Sequence, residues 1–283
     1  MSPSIGRRVF LGTLATGTVG SACAVTEKSV TGNSPERTTT VQGAGLTAQN
    51  SFAEVEAAAP ELAIFSLAAI EQHGETQPVG TDFFTISAIL KEVAKRLNVY
   101  VLPTMPIGTS REHMIGAGTI TMQQMTLHNY VRDIVISLYD QGFKYVAYMT
   151  GHGGNFLAEP ALEELNREYP DRIAVWVRPD GDPTILESTK PDIHGGEGEL
   201  SSMMYLHPND VHKEKAVDSY PPIGREVFDY AYVEDFSKPG IWGTPTLATA
   251  EKGRRRFEKS VESTVEKILA LFPEIEKRKG GGA

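Results

Sequence analysis

Apolar runs alternate with helix-period stretches along most of the chain. ELAIFSL (61–67) carries no charge after its first residue, the pattern of a strand covered on both faces. In DFFTISAILKEVAKRL (82–97) the large apolar residues recur every three or four positions, which predicts a helix. VYVLP (99–103) predicts a second strand, and TLHNYVRDIVISLYDQG (126–142) a helix stopped by Gly142. FKYVAYMT (143–150), rich in aromatic and β-branched residues, predicts a third strand. AEPALEELNREYP (158–170) predicts a helix with Pro160 in its first turn, RIAVWVRP (172–179) a strand, and the stretch from about 248 to 271 a last amphipathic helix. Strands alternating with helices specify an α/β fold, a mostly parallel sheet covered on both faces.

The ends depart from this pattern. Arg7 and Arg8 precede the mildly apolar VFLGTLATGTVGSACAV, and residues 1–23 resemble a twin-arginine export signal. Cys23 closes that run in GSAC, as in a bacterial lipoprotein box, and is a candidate lipid anchor. The expected location is therefore the periplasm, either free or as a membrane-anchored lipoprotein. Residues 24–51 are polar and nearly free of large apolar side chains, as in a disordered linker. A single domain is expected over 52–277, and 278–283 form a tail.

Charge and cysteine usage narrow the chemistry. A net charge of −9 argues against a nucleic-acid partner, whose phosphates require a basic face. Cys23 is the sole cysteine, so the domain itself has neither a disulfide nor a thiolate metal site.

Ligands of open α/β sheets bind beyond the carboxyl ends of the strands. Three glycine-rich polar segments are expected to meet there: AAIEQHGETQPVGTDF (68–83), TGHGGN (150–155) and DIHGGEGELSS (192–202). Glu71 and His73, two residues apart, project to one face of an extended chain. Each residue also has a plainer reading, Asp82 as a helix cap, His152 as part of a tight turn and Glu199 as a first-turn helix acid. Together they form an oxygen and nitrogen donor set suited to Zn, Mn or Fe, in which one carboxylate could bridge two ions.

EQHGETQPVGTD, GTSREHMIGAGTITM, GHGGN and DIHGGEGELSSMMYLHP, followed by GIWGTPTLATAEKGRRRFE (240–258), resemble the successive motifs of the creatininase superfamily over roughly residues 61–258. The resemblance implies a three-layer α/β/α fold and two divalent metal ions. It further implies hydrolysis of a C–N bond in a small cyclic or linear amide, and a closed homo-oligomer, commonly a hexamer. Carried over by position, it makes Glu71, His73, Asp82 and His152 metal ligands, with Asp82 the bridge. Creatininases place a Glu two residues after the motif histidine; this chain has Gly154 there, and Glu199 is expected to complete the site.

His194 and Glu199 are the candidate catalytic residues, with His194 an acid/base at the pocket rim that protonates the leaving nitrogen. Ser110, Glu112, His113 and Trp176 are candidate substrate contacts, while Trp242 fits a pocket wall or the core. His128, His207 and His212 are expected at the surface or in packing. Glu75–Thr76, Leu200 and Ile115–Gly118 depart from the usual motifs and leave the small-molecule substrate open. The competing readings are a hydrolase of a lactone or keto-inositol ring and a non-catalytic metal- or solute-binding lipoprotein.

Overall fold

The computed structural model describes residues 45–275; the expected export signal, Cys23, most of the expected linker and the expected tail lie outside them. Five parallel strands, β1 (Leu46–Thr47), β2 (Leu62–Leu67), β3 (Tyr100–Val101), β4 (Tyr145–Thr150) and β5 (Ile173–Trp176), form one sheet in the order β1-β3-β2-β4-β5. β2 lies at its centre and is buried along its whole length, as expected for an apolar run covered on both faces. It pairs with β4 in register from Leu62 with Tyr145 to Leu67 with Thr150.

The period of two sorts β2 between two cores. Leu62 and Ile64 face α2 (Thr81–Arg96) and α7 (Ala250–Leu271), packing on Ile86, Leu90, Val261 and Ile268. Ala63, Phe65 and Leu67 face α3 (Gln124–Asp140) and α4 (Ala158–Glu168), packing on Leu127, Val131, Leu162 and Leu165. The result is the expected three-layer α/β/α arrangement. Shorter helices α1 (Phe52–Ala58), α5 (Glu197–Leu206) and α6 (Val233–Phe236) complete it. Among the described residues no helix is long and apolar enough to cross a membrane.

Two differences from the sequence expectation have local causes. The folded region begins before residue 52, because Leu46 is buried and β1 pairs with β3 at the sheet edge. β3 spans two residues rather than five, since Pro103 offers no N–H to a ladder, although Leu102 and Met105 still donate to the β2 carbonyls of Ile64 and Ser66. The helix expected over 126–142 runs 124–140 and stops as expected, with Gly142 at φ +95°.

α5 was anticipated only through the reading of Glu199 as a first-turn helix acid, without bounds. Its N-terminus is capped from outside: the Asp192 carboxylate accepts the backbone N–H groups of Glu197 (2.7 Å) and Gly198 (2.9 Å). This cap fixes the first turn of α5, and with it Glu199.

Candidate metal centre

The polar segments converge at the carboxyl edge of the sheet. Glu71 and His73 follow β2, His152 follows β4, Asp82 opens α2 and Glu199 lies in the first turn of α5. Glu71, His73, Asp82 and His152 are buried, and Glu199 is partly covered. Two donor groups result, Glu71–Asp82–His152 and His73–Asp82–Glu199, each with ligand atoms within 4.8 Å of one another. Asp82 belongs to both. A further group, Glu71–His73–His194, overlaps them.

His73 and His152 are each oriented by a backbone carbonyl. His73 Nδ1–H donates to the Glu71 carbonyl at 3.0 Å, which leaves the Nε2 lone pair facing Asp82 Oδ1 (3.8 Å) and Glu199 Oε2 (3.7 Å). His152 Nε2–H donates to the Thr109 carbonyl at 2.7 Å, leaving Nδ1 toward Glu71 Oε1 (3.2 Å) and Asp82 Oδ2 (3.6 Å). Such second contacts set the tautomer that binds a cation. Glu199 Oε2 accepts the N–H of Gly195 at 2.6 Å, and Gly195 takes φ +62°, a conformation that favours glycine.

The donors fit divalent ions. Glu71 Oε2, Asp82 Oδ2 and His73 Nε2 are buried with no hydrogen-bond partner, an arrangement costly for polar atoms unless something else satisfies them. Two ligands at zinc bond lengths in tetrahedral geometry stand about 3.4 Å apart. The separations of 3.2 to 4.0 Å among these donors are close to that spacing.

Electrostatics in the site reflect the crowding of its titratable groups. Burial raises the Asp82 carboxyl well above its usual range and the Glu71 charge raises it further. Burial also works against ionised Glu71, but the His152 imidazole, by its charge and a hydrogen bond, leads the interactions that outweigh it and hold that carboxyl well below its usual range. Burial alone would lower His152, yet Glu71 and Asp82 drive it up to about 10. His152 therefore carries a proton in the ion-free protein at pH 8, and a cation must displace it. Zinc loading at pH 8 is expected to release at least one proton, and affinity should rise about tenfold per pH unit below the His152 value. Titration calorimetry in buffers of different ionisation enthalpy measures this; a proton count of zero would contradict the arrangement.

The centre opens on a cavity of about 1550 Å³, lined among others by Asp82, His152, Glu199, Glu112 and Trp176. Glu112 Oε1 lies 3.7 Å from His152 Nε2, and burial raises its carboxyl. Trp176 packs on Tyr148 and carries the Arg178 guanidinium 3.8 Å above its ring.

Ser110 and His113 are buried and do not line the cavity, which separates them from the substrate role expected of them. His194 is likewise not at the rim. Its segment pairs with Trp242 through backbone hydrogen bonds, which draws the ring inward to stack between His73 (4.4 Å) and His113 (3.9 Å). Its Nε2–H donates to the Gln72 carbonyl (2.7 Å), and Nδ1 stands 3.5 Å from Glu71 Oε1. Burial, then His113 and His73, lowers the His194 imidazole well below its usual range, so it is neutral. Trp242 is a core residue packed on Phe228. His128 pairs with Glu164, His207 with Asp210 and His212 with Glu214, all away from the centre.

The surroundings of Gly154 leave no room for a carboxylate. A Cβ there would lie 2.3 Å from His152 Nε2 and 2.4 Å from the Thr109 carbonyl, so no side chain fits without moving a ligand and its support. Sequence reasoning missed Thr109, whose carbonyl offers no residue-type signal, and Asn155, the last residue of GHGGN. The Asn155 amide is fully buried and ties three loops together through Thr109 N–H (2.9 Å), the Ala68 carbonyl (3.0 Å) and Thr150 Oγ1 (3.1 Å).

Comparison with known proteins identifies the family and the fold. The creatininase family profile, described as creatinine amidohydrolase, matches residues 48–268. A creatinine amidohydrolase of Pseudomonas putida is 28% identical over 228 residues, covering 72% of this chain and 87% of that protein. A mycofactocin precursor peptide peptidase of Mycobacterium tuberculosis (strain CDC 1551 / Oshkosh) is 30% identical over 231 residues, covering 75% and 86%. The crystal structure of a creatinine amidohydrolase superposes with a TM-score of 0.73 at 24% identity, covering 81% of this chain and 98% of that one. The same fold recurs in a creatininase of Zn-Zn type (TM-score 0.72) and in a manganese creatininase (TM-score 0.70). With the profile spanning nearly all of the described residues, the chain belongs to the creatininase family of hydrolases.

Proposed function

We propose that the protein is a metal-dependent amidohydrolase that cleaves a C–N bond of a small amide. One observation carries this reading: the shared, buried Asp82 between two donor groups that open on one cavity. Zinc and manganese forms among the structural neighbours support it. Glu71, Asp82 and His152 would hold one ion, and His73, Asp82 and Glu199 the other. When bound, such ions acidify a water and polarise a carbonyl.

The chain's own residues do the rest. Thr109 and the Glu71 carbonyl keep the two ligand imidazoles in the binding tautomer. Proton delivery to the leaving nitrogen falls to Glu112, because it lines the cavity and its burial favours the protonated form. His194, buried behind Glu71, takes a positioning role in place of the acid role first given to it. Export by the twin-arginine route, anchoring at Cys23 and a hexameric assembly belong to the same proposal, the first two supported by residues 4–25 and the last by family resemblance.

The test is metal analysis of the purified domain, followed by assays on cyclic amides, formamides, linear amides and lactones. About two ions per chain and chelator-sensitive amide turnover are expected. Turnover of lactones alone would replace the amide reading with ring-ester hydrolysis. Full metal loading without turnover of any compound would make it a binding protein.

A further inference from the structure

The cavity is larger than the ~300–1,000 Å³ of ordinary small-ligand sites, so it has room for more than the scissile group. Its lining offers two chemistries beyond the metal donors. One is apolar: Met114, Met125 and Phe156 line it while 43%, 65% and 47% exposed, large side chains left without a core to enter. The other is cationic, from Arg111, Arg178, Arg225 and Arg256.

The four arginines are not equivalent. Arg178 is engaged by Glu159 (3.4 Å) and the Trp176 ring. Arg256 packs between Gly181 and Gly198 and balances the charge of Asp192, the cap of α5. Arg111 is exposed on the short turn Arg111–His113, and no contact ties it to a metal donor. Arg225 differs from all three. Its Nη2 is the one group within 4 Å of where a Cβ on Gly153 would stand, and Gly153 directly follows His152. No carboxylate among the described residues lies within 4.0 Å of it; Glu112 acts on it only at longer range. The nearby Glu226 folds back over Gly224. A guanidinium in this position is a fork of donors without an acceptor, beside the reacting centre.

We propose that Arg225 is a specificity-determining residue that receives a substrate carboxylate, and that the substrates are N-acylated amino acids with an apolar side chain. This rests on the amidohydrolase reading. A planar guanidinium pairs with a carboxylate through two parallel hydrogen bonds, a geometry that an amide or hydroxyl does not reproduce. The apolar side chain would lie on Met114, Met125 and Phe156.

The probes are N-acetylphenylalanine and N-acetyl-2-phenylethylamine, the same amide without its carboxylate. The zinc-loaded enzyme is expected to favour the acid by about 10- to 100-fold in kcat/KM, the range of a charged hydrogen-bonded pair. R225Q should bring that ratio near one, and R225K should retain part of it. Arg225 is exposed and its side chain makes no hydrogen bond among the described residues, so R225Q is expected to fold, as an unchanged melting temperature would verify. Calorimetric binding of the same two compounds provides a readout independent of turnover. Should neither be hydrolysed, the amidohydrolase reading fails for this class, and the binding ratio still decides the role of Arg225. A wild-type enzyme without preference for the acid, or a preference that R225Q leaves intact in turnover and binding, overturns the proposal, as does absence of binding of either compound.

Discussion

Asp82→Asn is expected to reduce turnover by about 10³-fold or more, while making the ion-free protein more stable. The loss follows from position: Asp82 is the one residue common to both donor groups, so a neutral amide there weakens two sites at once. Losing the several kcal/mol that a bound ion contributes to a transition state amounts to about three orders of magnitude. Metal content should fall from about two ions per chain to less than one. The gain follows from the same crowding. Burial and the Glu71 charge penalise ionised Asp82, and its carboxyl is held well above its usual range.

A group whose folded value is raised costs stability once pH exceeds its unfolded value, and the cost grows until pH passes the folded one. Asparagine carries no such cost. The melting temperature of D82N in chelator at pH 8 should therefore exceed wild type by roughly 2–4 °C for each kcal/mol relieved. With saturating zinc the order should reverse. A variant less stable than wild type in chelator would show that Asp82 matters there for packing, not for charge.

The second large effect lies away from the cavity. Lys252 of α7 places Nζ 2.6 Å from Glu197 Oε1, 2.7 Å from Glu187 Oε1 and 2.7 Å from the Leu247 carbonyl. Glu197, the first residue of α5, is fully buried and also accepts the N–H groups of Glu187 and Ser188, each at 2.9 Å. Lys252→Met leaves that carboxylate buried without its cation and should cost about 3–5 kcal/mol in chemical denaturation. Burial raises the Glu197 carboxyl, but the Glu187 amide, Lys252 and the Ser188 amide together hold it below its usual range.

Its contribution is thus present above the ordinary carboxylate range and is lost as pH falls through the lowered folded value. The deficit of K252M should shrink as the solution is acidified below pH ~4. The double variant with Glu197→Gln should recover part of the loss, because no charge is then left unpaired. A deficit that ignores pH would assign the effect to the lysine's methylene packing.

The layers of the fold were legible because β2, β4 and the large helices carry unmixed periodicities. β1 was not: two residues in a polar stretch give no period, and only their pairing with β3 makes them a strand. In the centre, the convergence of Glu71, His73, Asp82 and His152 was legible because each lies a few residues beyond a strand, or in the first turn of a helix, whose pattern was clear, while their role as ligands came from the family motifs. Glu199 needed α5, whose start depends on Asp192 five residues before it, a side-chain cap invisible to periodicity. The depth of His194 was beyond sequence reasoning for the same reason. It is set by backbone pairing with Trp242, 48 positions along the chain, which no local pattern records.

The tight fit around Gly154 also constrains how such a centre can change over generations. Under the proposed ligand assignment, a carboxylate introduced at 154 would push on His152 and Thr109 before reaching an ion, and removing Glu199 first would leave the second ion with only His73 and Asp82. On that assignment neither single replacement keeps the full donor set, and a carboxylate at 154 would need the loop carrying Thr109 to shift with it.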